Sequence, residues 1–155
     1  MIFRPGIPSD ANAIAALIQS FQRMLTIDAT GAGAEEYLAS VSEEAETRYL
    51  NSPRYAYLVA ENKVGIVGFI ALRDNGHVFH MFVHSLRQHE GIAGALWHQA
   101  REAALQSGNP GAFTVNSSMI AVPVYRSFGF VTEGSPVQTH GIAFQPMRLK
   151  LRDDA

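Results

Sequence analysis

Val83-His84-Ser85-Leu86-Arg87-Gln88-His89-Glu90-Gly91-Ile92-Ala93-Gly94-Ala95-Leu96-Trp97 is the stretch on which the fold turns. A β-rich apolar run ends at Val83, a polar, glycine-bearing loop follows, and Ala93, Leu96, Trp97, Ala100 and Ala104 then recur at helical spacing. A strand that passes through a short loop straight into a helix leaves the first helical amides without intrahelical acceptors. Small residues at Gly91, Ala93 and Gly94 let a ligand approach that backbone closely, and the helix end adds partial positive charge. The junction therefore suits a pyrophosphate. It has no Lys after the glycines, as a G-x-x-x-x-G-K-[ST] loop would, and it is not G-x-G-x-x-G after a first strand, so ATP and NAD are the poorer ligands.

Upstream of this stretch, Tyr55 to Glu61, Val64 to Leu72 and Val78 to Val83 are three β-rich runs. They are separated by Glu61-Asn62-Lys63 and Arg73-Asp74-Asn75-Gly76, which is hairpin chemistry. Before them, Ile2 to Arg4 reads as a short strand. Ser9 or Asp10 can cap a helix with apolar positions Ile14, Leu17, Ile18 and Phe21, and Ala34 to Leu50 predicts a second helix, stopped by Asn51-Ser52-Pro53. Downstream, the pattern gives a strand at Ala112 to Asn116, a short helix at Ala121 to Phe128 and a strand at Phe130 to Glu133. A closing strand follows at Gly141 to Leu151, with Pro146 at a bulge or edge position. The order βααβββαβαββ predicts an α/β (α+β) fold with a mixed sheet, rather than a bundle or sandwich.

Composition narrows the chemistry. The 155 residues fit one domain, 1–155, and 47% hydrophobic residues with 17% charged ones exclude global disorder. A net charge of -2 provides no general field for nucleic acid or anionic lipid. The basic residues are scattered, and Arg148, Lys150 and Arg152 alternate along the final strand as a solvated face. The absence of Cys removes thiolate zinc sites, cysteine nucleophiles and disulfide scaffolds. No stretch approaches the ~20 apolar residues of a membrane helix, and the N-terminus lacks the pattern of a signal peptide, so a cytoplasmic location is expected.

Gln88-x-x-Gly91-x-Ala93 meets the pattern [QR]-x-x-G-x-[GA], and it stands between the strand His80-Met81-Phe82-Val83 and the helix at Leu96-Trp97. Asn116, then Ala121-Val122-Pro123-Val124-Tyr125-Arg126-Ser127-Phe128-Gly129-Phe130, follows it, and Pro146-Met147-Arg148-Leu149 ends the chain. Together these segments resemble the GNAT superfamily of acyl-CoA N-acyltransferases over essentially the whole length. The resemblance implies a mostly antiparallel central sheet flanked by helices, with acetyl-CoA held in a V-shaped opening between the fourth and fifth strands. It implies pantetheine pairing with backbone at Phe82 and Val83, and a pyrophosphate on the amides of Gln88, His89, Glu90, Gly91, Ile92, Ala93, Gly94 and Ala95. Asn116 and Tyr125 are the further cofactor contacts it implies. His89-Glu90 departs from the usual Gly and basic residue there, and the Glu90 charge opposes phosphate binding. Members often pair through sheet edges or the C-terminal strand, which leaves a homodimer open.

Transfer from a thioester to a primary amine of a small molecule, or of a peptide, needs a base for the amine and an acid for the departing thiolate. By the resemblance Tyr125 is the acid and the backbone N–H of Val83 stabilises the oxyanion, while a purely structural role for Tyr125 would be that of a core aromatic. Histidine suits the base. His77 is the first choice, because by the resemblance it corresponds to the strand position from which several family members present a catalytic Glu or His. His80, three residues on, is expected on the opposite face. Glu36 or Glu44 could instead hold the amine. Asp28, Glu35, Glu36, Glu43, Glu44 and Glu46 form an acidic segment on the acceptor side, which favours a cationic amine or is simply solvated helix surface. Two rivals remain. One is a metal held by the His77, His80, His84, His89 group, disfavoured by strand alternation and by the lack of ordered acidic partners. The other is a non-catalytic module that binds CoA or acyl-CoA.

Overall fold

The computed structural model describes residues 1–151, so Arg152 and the remainder of the predicted 1–155 domain lie outside it. β1 (Ile2–Pro5) leads through a 3-10 turn (Pro8–Asp10) into helices α1 (Ala11–Gln19), α2 (Gln22–Leu25), α3 (Glu35–Ser40) and α4 (Glu43–Leu50). β2 (Tyr55–Glu61), β3 (Ile66–Arg73) and β4 (His77–Val83) form a meander, followed by α5 (Ile92–Gln106), β5 (Ala112–Ser118) and α6 (Val122–Ser127). β6 (Val131–Thr132), β7 (Val137–Thr139) and β8 (Ile142–Lys150) complete the sheet. Its order is β1-β2-β3-β4-β5-β8-β6, with β7 also on β8. Every pairing is antiparallel except that of β4 with β5.

One face packs Ile14 and Ile18 of α1 against Val59, Phe69 and Ala71, and the other packs Leu96 and Trp97 of α5 against Ile70, Phe113, Val115 and Phe130. Each large side chain so buried contributes roughly 1.5–3 kcal/mol, which is why the helical spacing around Leu96 and Trp97 gives a full helix here.

Local chemistry explains where the elements depart from expectation. The predicted helix from Ala34 to Leu50 is two helices. Ser42 adopts an extended backbone and accepts from the Ala45 amide at 3.2 Å, starting a new helix rather than continuing the old one. Phe21 lies beyond the end of α1 and opens α2. Asp10 does not cap α1 with its side chain, because its carboxylate accepts from the Ile7 amide at 2.8 Å and from Arg4 at 2.9 and 3.0 Å. The pattern missed β7. It forms a hairpin with β8 through His140 and Gly141, both at positive φ, and a Cβ at Gly141 would lie 2.5 Å from the Gly33 backbone. The loop between α2 and α3 thus seats directly on that hairpin tip, and the Ile27 amide donates to the Gly141 carbonyl at 2.8 Å. Pro146 stands where β6 has ended and β7 has not begun, and its carbonyl accepts from Glu133 at 2.9 Å.

The feature that positions the site is the short pairing of β4 with β5. It holds only at His77↔Thr114 and Val78↔Val115, after which the strands part. At that point β4 carries a bulge: Leu72 faces Val78 but Ala71 faces His80, so Phe79 has no partner on β3. An added residue bends a strand and increases its twist, and here it turns the second half of β4 away from β5.

Candidate active site

The gap between β4 and β5 holds two adjoining cavities. An outer one of about 460 Å³ is bounded by the loop before α5, and an inner one of about 280 Å³ lies on the side of α3. Leu25, Met81, Phe82, Ser118 and Ala121 line both, so they meet at the backbone of β4.

The outer cavity is built by the stretch quoted first. Gly91 caps α5 at φ +82, and no side chain caps the helix. The Ala95 amide donates to the Gly91 carbonyl at 3.0 Å. The amides of Ile92, Ala93 and Gly94 therefore precede the first intrahelical bond and point outward as free donors. The Ala95 amide, by contrast, is used within the helix. A Cβ at Gly91 or Gly94 would meet nothing within 4 Å. At Gly94, neither backbone angle nor packing requires glycine, which in a helix costs roughly 1 kcal/mol relative to alanine; open space in front of its amide is what the residue provides. This cradle fits a pyrophosphate. Gln88 and His89 line the cavity, whereas Glu90 does not: its carboxylate turns to Arg87 at 2.9 Å, which offsets its charge.

Along β4 the backbone groups divide between β3 and the gap. The His84 amide donates to the Val67 carbonyl at 2.7 Å. By the alternation of an antiparallel pair, Phe82 faces β3 in the same way, while Met81 and Val83 turn toward the gap. The Val83 carbonyl accepts from Gln88 Nε2 at 3.2 Å, leaving the Val83 N–H available. Phe82 contributes its ring to the cavity walls rather than backbone pairing.

The inner cavity gathers the titratable groups. His77, His80, Asn116 and Tyr125 all line it, and neither Asn116 nor Tyr125 reaches the outer one. His77 and His80 share a face, contrary to simple alternation, because their partners Arg73 and Ala71 on β3 are two residues apart and the Phe79 bulge absorbs the odd residue. His77 Nδ1 lies 2.8 Å from Thr114 Oγ1, and burial followed by the nearby Arg73 lowers its pKa. His80 is buried, with Nε2 3.1 Å from Oε2 of Glu46. Glu46 is wholly buried, and its Oε1 accepts from the Tyr57 hydroxyl at 2.6 Å. Burial first, and the Glu46 charge second, push the Tyr57 phenol well above its ordinary pKa, so it remains a donor. A carboxylate offers only acceptors, so the Nε2 of His80 carries a proton, and in the neutral imidazole the lone pair is then on Nδ1. Tyr125 packs edge-on to Phe128 and Phe130, and burial raises its pKa so that it stays protonated. Its hydroxyl has no hydrogen-bond partner among the described residues.

Glu46 was hidden in the sequence as one acid among six. The signal was its place four residues before Leu50 and one after Ala45, on the inward stripe of α4. Asp28, Glu35, Glu36, Glu43 and Glu44 line neither cavity. Glu36 instead meets His140 at 3.1 Å and Glu43 accepts from Asn12 at 3.2 Å.

Comparison with curated protein sequences finds no significant match. Among solved structures, the chain is similar to a GCN5-related N-acetyltransferase from Rhodopseudomonas palustris, at 23% identity and TM-score 0.76 over 97% of this chain and 95% of that one. It is similar to the PaiA N-acetyltransferase from Thermoplasma acidophilum, crystallised with coenzyme A, at 17% identity and TM-score 0.74 over 97% and 98%. An aminoglycoside 6'-N-acetyltransferase complexed with coenzyme A matches at 15% identity and TM-score 0.73 over 99% and 100%. These likenesses establish the shared fold. The model of the acetyltransferase (GNAT) domain matches residues 25–151, most of the sequence, and on that ground the chain belongs to the GNAT acetyltransferase family.

Proposed function

We propose that the protein transfers the acetyl group of acetyl-CoA to a primary amine of a small molecule, by direct attack in a ternary complex. The observation that carries this reading is the pair of cavities meeting at the β4 backbone, one with free helix amides and one with an oriented histidine. The amides of Ile92, Ala93 and Gly94, with Gln88 and His89 beside them, would hold the pyrophosphate of acetyl-CoA, which supplies the activated acyl thioester. Relatives of the same fold crystallised with coenzyme A support this assignment.

In this reading His80 is the base. Its Nδ1 takes the proton of the incoming amine, and Glu46, held in turn by Tyr57, fixes the tautomer and stabilises the imidazolium that forms. His77, with its Nδ1 at Thr114, is a second candidate without a carboxylate partner. The Tyr125 hydroxyl gives its proton to the departing sulfur, and the Val83 N–H is a donor for the oxyanion.

Calorimetric titration with acetyl-CoA tests the outer cavity, with a micromolar dissociation constant expected, about -8 kcal/mol. Thiol release is then measured with a panel of amines. Binding without thiol release from any amine identifies a CoA-binding module instead, and no binding at millimolar acetyl-CoA refutes the assignment of the loop.

A further inference from the structure

Arg73 is the only Arg, Lys, Asp or Glu among the described residues on the wall of the inner cavity. It ends β3, opposite His77, on the same sheet face as His80. Its guanidinium carbon sits 5.6 Å from the centroid of the Phe79 ring, which holds the flat group in place by cation–π attraction. A guanidinium carries five N–H donors, yet no hydrogen bond from the Arg73 side chain is made among the described residues. The nearest carboxylate is that of Asp74, 3.9 Å from Nε. That carboxylate is already engaged by Arg54 through two bonds of 2.9 and 2.8 Å. Arg73 is thus oriented, about one-third exposed (35%), and left with open donors at the cavity.

These facts reverse the expectation drawn from the acidic segment. A purely cationic acceptor would meet the Arg73 charge, and no carboxylate lines the cavity to bind its cation directly, since Glu46 lies behind His80. An acceptor that also carries a carboxylate would find the fork geometry that Arg presents to such groups. Ala71 and Arg73, the residues opposite His80 and His77, are two positions apart on β3, about 6.7 Å at strand rise. One molecule of amino-acid size can therefore place its amine near His80 and its carboxylate near Arg73. Tyr37, Phe79, Phe82 and Phe144 make part of the wall aromatic, which suits an apolar side chain, beside the polar Ser40, Asn116 and Ser118.

We infer that the acceptor is an amine bearing a carboxylate, an amino acid or a close analogue with an apolar side chain, whose carboxylate is held by Arg73. This rests on the transfer reading above for the amine, and on Arg73 alone for the anion. The test separates the two. Thiol release is measured with L-phenylalanine, L-phenylalanine amide and phenethylamine. Independently, N-acetyl-L-phenylalanine and N-acetylphenethylamine are titrated into the CoA-loaded protein. The compounds bearing a carboxylate are expected to exceed their carboxylate-free counterparts by about tenfold or more, in kcat/KM and in affinity. Arg73→Gln should abolish that preference through KM, Arg73→Lys should keep part of it, and an unchanged Kd for CoA shows that both variants are folded. Equal or better use of the carboxylate-free compounds overturns the inference, as does a preference that survives in Arg73→Gln, or failure of the N-acetyl acid to bind. If no amine releases thiol while the N-acetyl acid binds in an Arg73-dependent way, the transfer reading falls and the anion site stands.

Discussion

Replacing Glu46 by Gln changes no shape and tests how His80 is prepared. The carboxylate accepts from both His80 Nε2 at 3.1 Å and the Tyr57 hydroxyl at 2.6 Å. An amide at the same place can do one or the other. If its oxygen faces Tyr57, its NH2 faces His80 Nε2, which must then accept, moving the histidine proton to Nδ1 and removing the lone pair that takes the substrate proton. If the oxygen faces His80, the phenolic proton of buried Tyr57 loses its acceptor, at about 1–3 kcal/mol. The unproductive arrangement is favoured by that margin, about 5- to 150-fold in population. Loss of the charge that stabilises the imidazolium adds to it, so kcat should fall by about 100-fold. Initial rates of thiol release at saturating acetyl-CoA measure it, with the thermal midpoint as a check on folding. Removing the phenol should release the amide to turn over, so Tyr57→Phe combined with Glu46→Gln is expected to be faster than Glu46→Gln alone, a coupling of opposite sign to simple damage. A folded Glu46→Gln protein within about threefold of the wild-type kcat, or a double variant slower than the single one, would refute the tautomer argument.

Gly94→Ala should separate stability from binding: the helix gains up to about 1 kcal/mol and the midpoint rises, while the methyl enters the open space before the amides and CoA affinity falls about tenfold or more by calorimetry. A rise in midpoint with unchanged affinity would move the pyrophosphate elsewhere. Tyr125→Phe is expected to leave stability within about 0.5 kcal/mol, since the hydroxyl has no internal partner, and to lower kcat by about 100-fold; unchanged turnover would make the residue a core aromatic only. Arg4 holds the Asp10 carboxyl below its ordinary value, so the pair stabilises the fold above about pH 4 and that contribution is lost as pH falls through the lowered folded pKa. Thermal midpoints of the wild type and Asp10→Asn, compared from pH 7 down to about pH 3, should therefore converge; a constant difference would show that the pair does not titrate with folding.

What could be read in advance was whatever depends on local periodicity or on backbone chemistry. Leu96 and Trp97 announce α5, and Gly91 and Gly94 announce the amide cradle, because spacing and the lack of a side chain are properties of the sequence itself. Glu46 was not legible, since an acid on a helix is ordinarily solvated and only the meeting with Tyr57 and His80, from two other elements, makes it otherwise. Nor was the shared face of His77 and His80, which hangs on one unpaired residue, Phe79, whose type does not distinguish a bulge from a regular strand position. Val137–Thr139 escaped notice for a related reason: so short a strand is specified by the edge of β8 rather than by its own composition.

The Phe79 bulge has a meaning for how such sites descend. A side chain can be exchanged by point substitution, but an extra backbone residue is gained or lost only by insertion or deletion, and its loss would swing every residue of one half of β4 to the opposite face. On β4, His77 on one side of it and His80 on the other are in effect inherited as a block, together with Arg73, the partner of His77 on β3. Among relatives, a one-residue gap between positions 77 and 80 should therefore coincide with replacement of the whole set, whereas ungapped relatives can trade its members one at a time.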